Sequence, residues 1–350
     1  MIIISHNNKK VVKVSSNSEH EIDYDTSKSI SFVLKEVAIA YPKEIILWYD
    51  ECFEELIDFK TIPDLFHHNK MMMSYLPSEH NFLHNAIGFV DLSIFIKINK
   101  QVKYPTWQMS AMVGVMHASL MNSIESRIKL DDDFDYFLNS TAKQVMPLGI
   151  FCYSEPKLLK KNNINNINYK NSSLFVLFKF VKQHYKISWL FLLLLNLIIY
   201  KNKFAFFPLI NSLFFKKRKL EDAVLDDISF VPNNINNKDV KTTIDVIIPT
   251  IGRKQYLYDV LKDLAKQSLV PKNIIIVEQN PNKSSISDLS YLTKEDWPFK
   301  IKHSFIHKTG VCNARNIALE QIESEWVFLA DDDIRFENNF LQSCFKNVKD

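Results

Sequence analysis

At 350 residues and 41.0 kDa the chain is too long for one ordinary core, so two domains and a connector are expected. Hydrophobic residues make up 47% and charged residues 24%, the balance of a folded protein, which excludes global disorder. The 43 basic and 40 acidic residues nearly cancel to a net charge of +3, and nothing in that balance argues for a nucleic-acid partner.

The five glycines, Gly88, Gly114, Gly149, Gly252 and Gly310, are scattered. A Walker-type phosphate loop and the G-x-G-x-x-G fingerprint both need clustered glycines and are excluded, so any nucleotide must be held by strand ends and side chains. Cys52, Cys152, Cys312 and Cys344 form no C-x-x-C pair. Neither a structural metal site nor a disulfide framework is expected, and the default setting is a reducing cytosol. The opening MIIISHNNKK has a four-residue apolar run and is not expected to act as a signal peptide.

In chain order, Ile2–Ser5 and Val11–Val14 read as strands, Ser31–Tyr41 as a helix ended by Pro42, and Glu44–Tyr49 as a buried strand. Ile87–Ile98 is a further strand candidate, and Gln108–Met121 reads as an apolar helix. Asp131–Asp133 with Asp135 open a helix expected to run through Ala142. That acidic run suits a metal, but acids at a helix N-terminus also compensate the dipole, which is the plainer reading. Residues 1–161 thus form a mixed α/β domain with no constellation that converts into chemistry. Two Asn-rich stretches, 162–173 and 232–239, read as linkers that divide the chain into 1–161, 174–231 and 240–350.

The middle segment is hydrophobic and basic. Ile187–Tyr200 is uncharged, but its 14 residues fall short of the roughly 20 that a straight transmembrane helix needs. Lys186 and Lys201 bracket it, a second apolar run spans Phe204–Phe215, and Lys216, Lys217, Arg218 and Lys219 follow. This pattern suits a helical hairpin at a membrane interface. A buried helix pair between the flanking domains is the other reading.

Residues 244–350 alternate strand and helix. The expected elements are strand Ile244–Ile248, helix Gln255–Ser268, strand Asn273–Val277, strand Ile301–Ile306, helix Val311–Ile322, buried strand Glu325–Leu329 and helix Asn338–Val348. Such a rhythm implies a mostly parallel, Rossmann-like sheet, whose ligands bind beyond the carboxyl ends of the strands. Thr250, Glu278 and Asp331–Asp333 all fall near such ends, so three distant segments should converge on one edge. Consecutive carboxylates repel one another, and a hard divalent cation relieves that repulsion by bridging to a substrate diphosphate. A solvated acidic turn is the plain alternative.

The stretches VIIPTIGR (246–253), VEQNP (277–281), GVCNARNIAL (310–319) and WVFLADDDI (326–334) together resemble the first half of a family 2 glycosyltransferase with a GT-A fold, over about 110 residues. The resemblance implies binding of a nucleotide-diphosphate sugar by Pro249, Thr250, Arg253, Glu278, Arg315 and Asp331. It implies a Mg²⁺ or Mn²⁺ held by Asp332 and Asp333. Ala330 and Ile251 depart from the family pattern, where many members carry an aspartate and an aromatic. The implied reaction is inverting sugar transfer to a glycan or lipid-linked acceptor in polysaccharide synthesis, with a carboxylate as base. The middle segment would place the enzyme peripherally on the cytoplasmic membrane face. Two rivals stand beside this reading: a non-catalytic nucleotide-sugar-binding or scaffold protein, and a sugar-phosphate nucleotidyltransferase. In the resembled family the acceptor side and the base lie downstream of the acidic triplet, and 17 residues follow Asp333. The chain is therefore expected to be truncated and inactive as it stands, unless residues 1–161 lend a base, for instance from Asp131–Asp133.

Overall fold

The computed structural model describes residues 1–17, 20–78, 80–91, 98–160, 171–221, 228 and 243–349. Its contacts divide the chain into two units, Met1–Asn236 and Asn237–Asp350, each with its own sheet. Of the stretches read as linkers, only 171–173 falls among the described residues.

The first unit contains β1 (Ile2–His6), β2 (Val11–Ser16), α1 (Ile30–Ala40), β3 (Ile45–Asp50), α2 (Ile62–Leu65), β4 (Met71–Ser74), β5 (Tyr104–Pro105), β6 (Val113–His117), α3 (Ala118–Ile124), α4 (Phe134–Val145) and β7 (Phe151–Ser154). The strands form one mixed sheet in the order β2-β1-β3-β6-β4-β7-β5. β1 and β3 are parallel, as are β4 and β7, and the other neighbours are antiparallel. Both faces are covered. Ile46 and Trp48 of β3 join one cluster with α1, α3 and α4, while Leu47 and Tyr49 join a second cluster on the opposite face. Alternate residues pointing to opposite faces are the period of a strand.

Double burial explains one difference from the sequence reading. Gln108–Met121 is not one helix, because Val113–His117 is the strand β6, paired with both β3 and β4. A strand covered on both faces reads as an unbroken apolar run, which periodicity cannot separate from a buried helix. Gly114 sits beneath the Trp48 indole, where a Cβ would overlap both that ring and the Met73 carbonyl. The strand expected at Ile87–Ile98 is corrected only at its start. Asn85–Phe89 forms a 3₁₀ turn capped by His84, whose Nδ1 accepts from Ala86 N–H, and residues 92–97 lie outside the described residues.

Three helices follow: α5 (Leu174–His184), α6 (Ser188–Lys201) and α7 (Phe206–Leu213). Phe178 and Phe180 of α5, Leu193 and Leu197 of α6 and Leu209 of α7 belong to the same cluster as α4. The segment read as a connector therefore packs its inner side into the first unit. Its outer side stays exposed, with Phe191, Leu195, Ile199, Phe207, Ile210 and Phe214 all open to solvent. No helix among the described residues is long and apolar enough to cross a membrane.

The second unit contains β8 (Ile244–Thr250), α8 (Lys254–Ala265), β9 (Asn273–Gln279), α9 (Tyr291–Lys294), β10 (Lys300–Ile306), α10 (Val311–Leu319), β11 (Trp326–Leu329) and α11 (Phe340–Lys349). Its four strands are all parallel, in the order β10-β9-β8-β11. Val246, Ile248, Ile274 and Ile276 pack with α8 and α11, and Ile247, Ile275 and Val277 pack with Ala314 and Ala318 of α10. Helices thus cover both faces, as right-handed β-α-β crossovers require. The sequence predicts a buried β11, yet Trp326 and Val327 are each 39% exposed and Leu329 is 49% exposed. Among the described residues β11 is an edge strand, paired only with β8.

Candidate functional site

The chain leaves β8 at Pro249-Thr250 and turns into α8 through Gly252, whose φ of +64° lies in the left-handed region that favours glycine. Gly310 makes the matching turn before α10 at φ +135°. Its N–H donates to Gln279 Oε1 at 2.7 Å, which ties the entry of α10 to the end of β9. Thr250 lies directly across from Glu278 in the β8/β9 register. The carboxyl ends of the central strands therefore open on one edge, and a cavity of about 280 Å³ lies there.

Asp332 is the centre of this edge. It is 6% exposed; its Oδ2 accepts from Thr250 Oγ1 at 2.7 Å and its Oδ1 from Arg253 Nη1 at 3.1 Å. The same guanidinium nitrogen reaches the Asp333 carboxylate. Asp332 and then Asp333 raise the proton affinity of Arg253, so it is a fixed cation. Asp331 turns the other way, to Arg315 Nη2 at 2.8 Å. Arg315 Nε is buried and has no hydrogen-bond partner among the described residues.

Pro249, Thr250, Arg253 and Asp331–Asp333 are thus brought together as cavity lining, with Ile251, Gln279, Gly310 and Val311 completing it. Glu278 and Arg315 are not part of that lining. Glu278 bonds across the sheet to His303 Nε2 at 2.9 Å, and Arg315 reaches the site only through Asp331. Sequence reasoning passed over Gln279, although it directly follows Glu278 at the strand end. It also passed over Asp263 on α8, which takes Arg335 Nε at 2.6 Å and Nη2 at 2.9 Å and accepts from Phe336 N–H. This fork on Arg335, more than the opposing effect of burial, lowers the Asp263 pKa and anchors the chain just beyond the triplet.

A divalent cation needs hard oxygen donors, which the triplet supplies in kind. Among the described residues, no three acidic, His or Cys side chains converge as a ready ligand set. Mg²⁺ commonly uses one or two carboxylates plus substrate phosphates, so Asp332 and Asp333, already joined by one cationic group, fit that mode of binding.

Residues 245–350 match glycosyl transferase family 2. Among solved structures the chain is similar to crystal structures of S. aureus TarS. One, at 26% identity and a TM-score of 0.25, covers 31% of this chain and 19% of that one. A TarS 1–349 structure in complex with UDP has 27% identity and a TM-score of 0.26, covering 31% and 32% of the two chains. Another, in complex with UDP-GlcNAc, has 26% identity and a TM-score of 0.26, covering 31% of each. The chain spans less than a third of the length of these structures. No curated protein matches it.

Proposed function

We propose that residues 245–350, which match glycosyl transferase family 2, act as a glycosyltransferase domain, and that the protein transfers a sugar from a nucleotide-diphosphate sugar to a glycan or lipid-linked acceptor. The observation that carries this reading is the cavity at the carboxyl edge of an all-parallel sheet, lined by Thr250, Arg253 and the aspartate triplet. Thr250 orients the buried Asp332 carboxylate, and Arg253 and Arg315 bring fixed positive charge to where a diphosphate departs. Mg²⁺ or Mn²⁺ held by Asp332 and Asp333 would neutralise the leaving diphosphate. Pro249 and Glu278 then lie on the side of the base and ribose. The deciding experiment is a panel of nucleotide sugars, each with Mn²⁺ or with chelator. Release of nucleoside diphosphate would mean sugar transfer. Formation of nucleoside triphosphate when pyrophosphate is added would mean nucleotidyl transfer, and tight binding without turnover would mean a carrier or scaffold.

The outer side of α6 and α7 supports peripheral attachment to the cytoplasmic membrane face. Phe207 and Phe214 are 80% and 82% exposed, and Lys201, Lys203, Lys216 and Lys217 flank the apolar run. Apolar area rimmed by lysine favours an anionic lipid interface. Phe207→Ser with Phe214→Ser leaves the buried Leu193 and Leu197 untouched and should release the protein from anionic vesicles. Retention of that variant would sink the attachment.

A further inference from the structure

A second cavity, of about 840 Å³, lies in the first unit and is independent of the glycosyltransferase reading. β4 and β7 are parallel neighbours, paired from Met71↔Phe151 to Ser74↔Ser154, so their carboxyl ends leave the sheet side by side. The chain continues into Tyr75–Ser78 from one and Glu155–Lys157 from the other, and these segments wall the cavity. Adjacent carboxyl ends of parallel strands are where open α/β sheets place ligands. The volume suits a small molecule, since such pockets span about 300–1,000 Å³.

Lysines outnumber acids in its lining. Lys100, Lys103, Lys157 and Lys160 line it, against the two carboxylates of Asp58 and Glu155. Lys160 Nζ donates to the Glu55 carbonyl at 2.9 Å, a contact that fixes the ammonium without cancelling its charge. Lys100 Nζ is placed by the Ser78 carbonyl at 2.8 Å. Lys103 Nζ is 3.9 Å from the Glu155 carboxylate, at the long limit of an ion pair, and lies over the Tyr153 ring. Glu155 is 3% exposed, and its Oε1 already accepts from Lys157 N–H at 3.0 Å. No arginine is among the lining residues. Clustered ammonium groups bind phosphate oxygens as point charges. Tyr75, Leu76 and Val102 add apolar surface to the lining.

We propose that this cavity binds an organic phosphate, with its phosphoryl group among Lys100, Lys103 and Lys157 and its carbon skeleton against Tyr75. Pyridoxal 5′-phosphate tests this on the full chain. Its aldehyde condenses with a lysine amine, losing water to form an imine, which borohydride reduces to a stable secondary amine read by peptide mass mapping. Label is expected at Lys103 or Lys157, falling about tenfold with inorganic pyrophosphate at about ten times its Kd. Pyridoxal, which lacks the phosphate, should show no such preference. Vesicles bearing phosphatidic acid form a second arm. Protection by them as well assigns the phosphate to a lipid headgroup, and protection by pyrophosphate alone assigns it to a soluble ester. Occupation of the glycosyltransferase domain is read separately, on its own peptides around Lys254. Label scattered over surface lysines, or indifferent to pyrophosphate, would overturn the proposal.

Discussion

Asp131–Asp133 and Asp331–Asp333 are the same three letters in two different settings. The first triplet precedes a helix. Asp133 caps α4 by accepting from Tyr136 N–H at 2.9 Å, and Asp131 takes Arg218 in a fork at 2.7 and 2.8 Å. With Lys179 at 4.0 Å, its charge is matched inside the first unit. The second triplet follows a strand. Its buried member is positioned by a hydroxyl and an exposed guanidinium, and all three aspartates line a cavity. Acids at a helix N-terminus meet backbone N–H groups, whereas acids at a strand's carboxyl end meet open space. The element before or after the carboxylates, more than their number, decides what they do.

The largest expected effect separates the two ion pairs. Asp131→Ala leaves Arg218, with a side chain only 9% exposed, as an unpaired buried charge and should cost about 3–5 kcal/mol. Asp331→Ala breaks a pair whose carboxylate side chain is 58% exposed and should cost about 1 kcal/mol or less. Urea unfolding of both variants checks this, and equal losses would erase the distinction.

Acid should divide the two halves of the chain next. Burial lowers His6 to about 4 and His184 to about 3, so both are neutral in the fold and take up protons on unfolding. Their contribution is present above the ordinary pKa of 6.5 and is lost as pH falls from there toward about 4. A tenfold difference in proton affinity between the folded and unfolded states is worth about 1.4 kcal/mol, so His6 alone contributes about 3 kcal/mol at most. In the second unit, Asp263 and Asp245 are lowered, by the Arg335 fork and by hydrogen bonds from 323–324 and Asn273 that outweigh burial. Their contribution persists until pH falls through the ordinary carboxylate value of 3.8. Calorimetry between pH 7 and 4.5 should show the first unit's transition falling first, with the fall blunted by His6→Gln. A second-unit transition that moved first would contradict the assignment.

The third test concerns ligand. Asp332→Asn should weaken Mn²⁺-dependent binding of a nucleoside diphosphate by about 10- to 100-fold, the scale of losing a metal-site partner. Asp132→Asn should leave that binding unchanged, and equal loss from both would remove the metal from Asp332. The smallest effect is the cap. Asp133→Ala should lower stability by about 1 kcal/mol in thermal unfolding, whereas Asp333→Ala, at the exposed end, should change it by less than about 0.5 kcal/mol.

Much of the second unit is legible in the sequence. IDVII and NIIIV are apolar runs between polar loops, the pattern of strands covered on both faces, and Leu257, Val260, Leu261 and Leu264 mark one helix face. From that order alone, the strand-end rule places Thr250 and the aspartates on one edge, where the structure has them. The same apolar signal fails at β6, whose Val113 and Val115 face one cluster while Met116 faces the other. Buried strand and buried helix are alike when no polar residue marks the period. It fails at β11 for the opposite reason, because an apolar strand carries no sign that it stands at an edge.

The sequence by itself determined what is local: where chains turn, which strand ends carry acids, and that two Asp triplets adjoin different elements. Tertiary structure alone decided how each charge is matched. Asp131 finds Arg218 across 87 positions, and Arg253 reaches Asp332 across 79. Neither distance leaves a periodic mark in the chain, since contacts made by folding back depend on the path of the backbone rather than on spacing. Whether an acid faces a buried guanidinium or an open cavity is therefore fixed only when the sheets assemble.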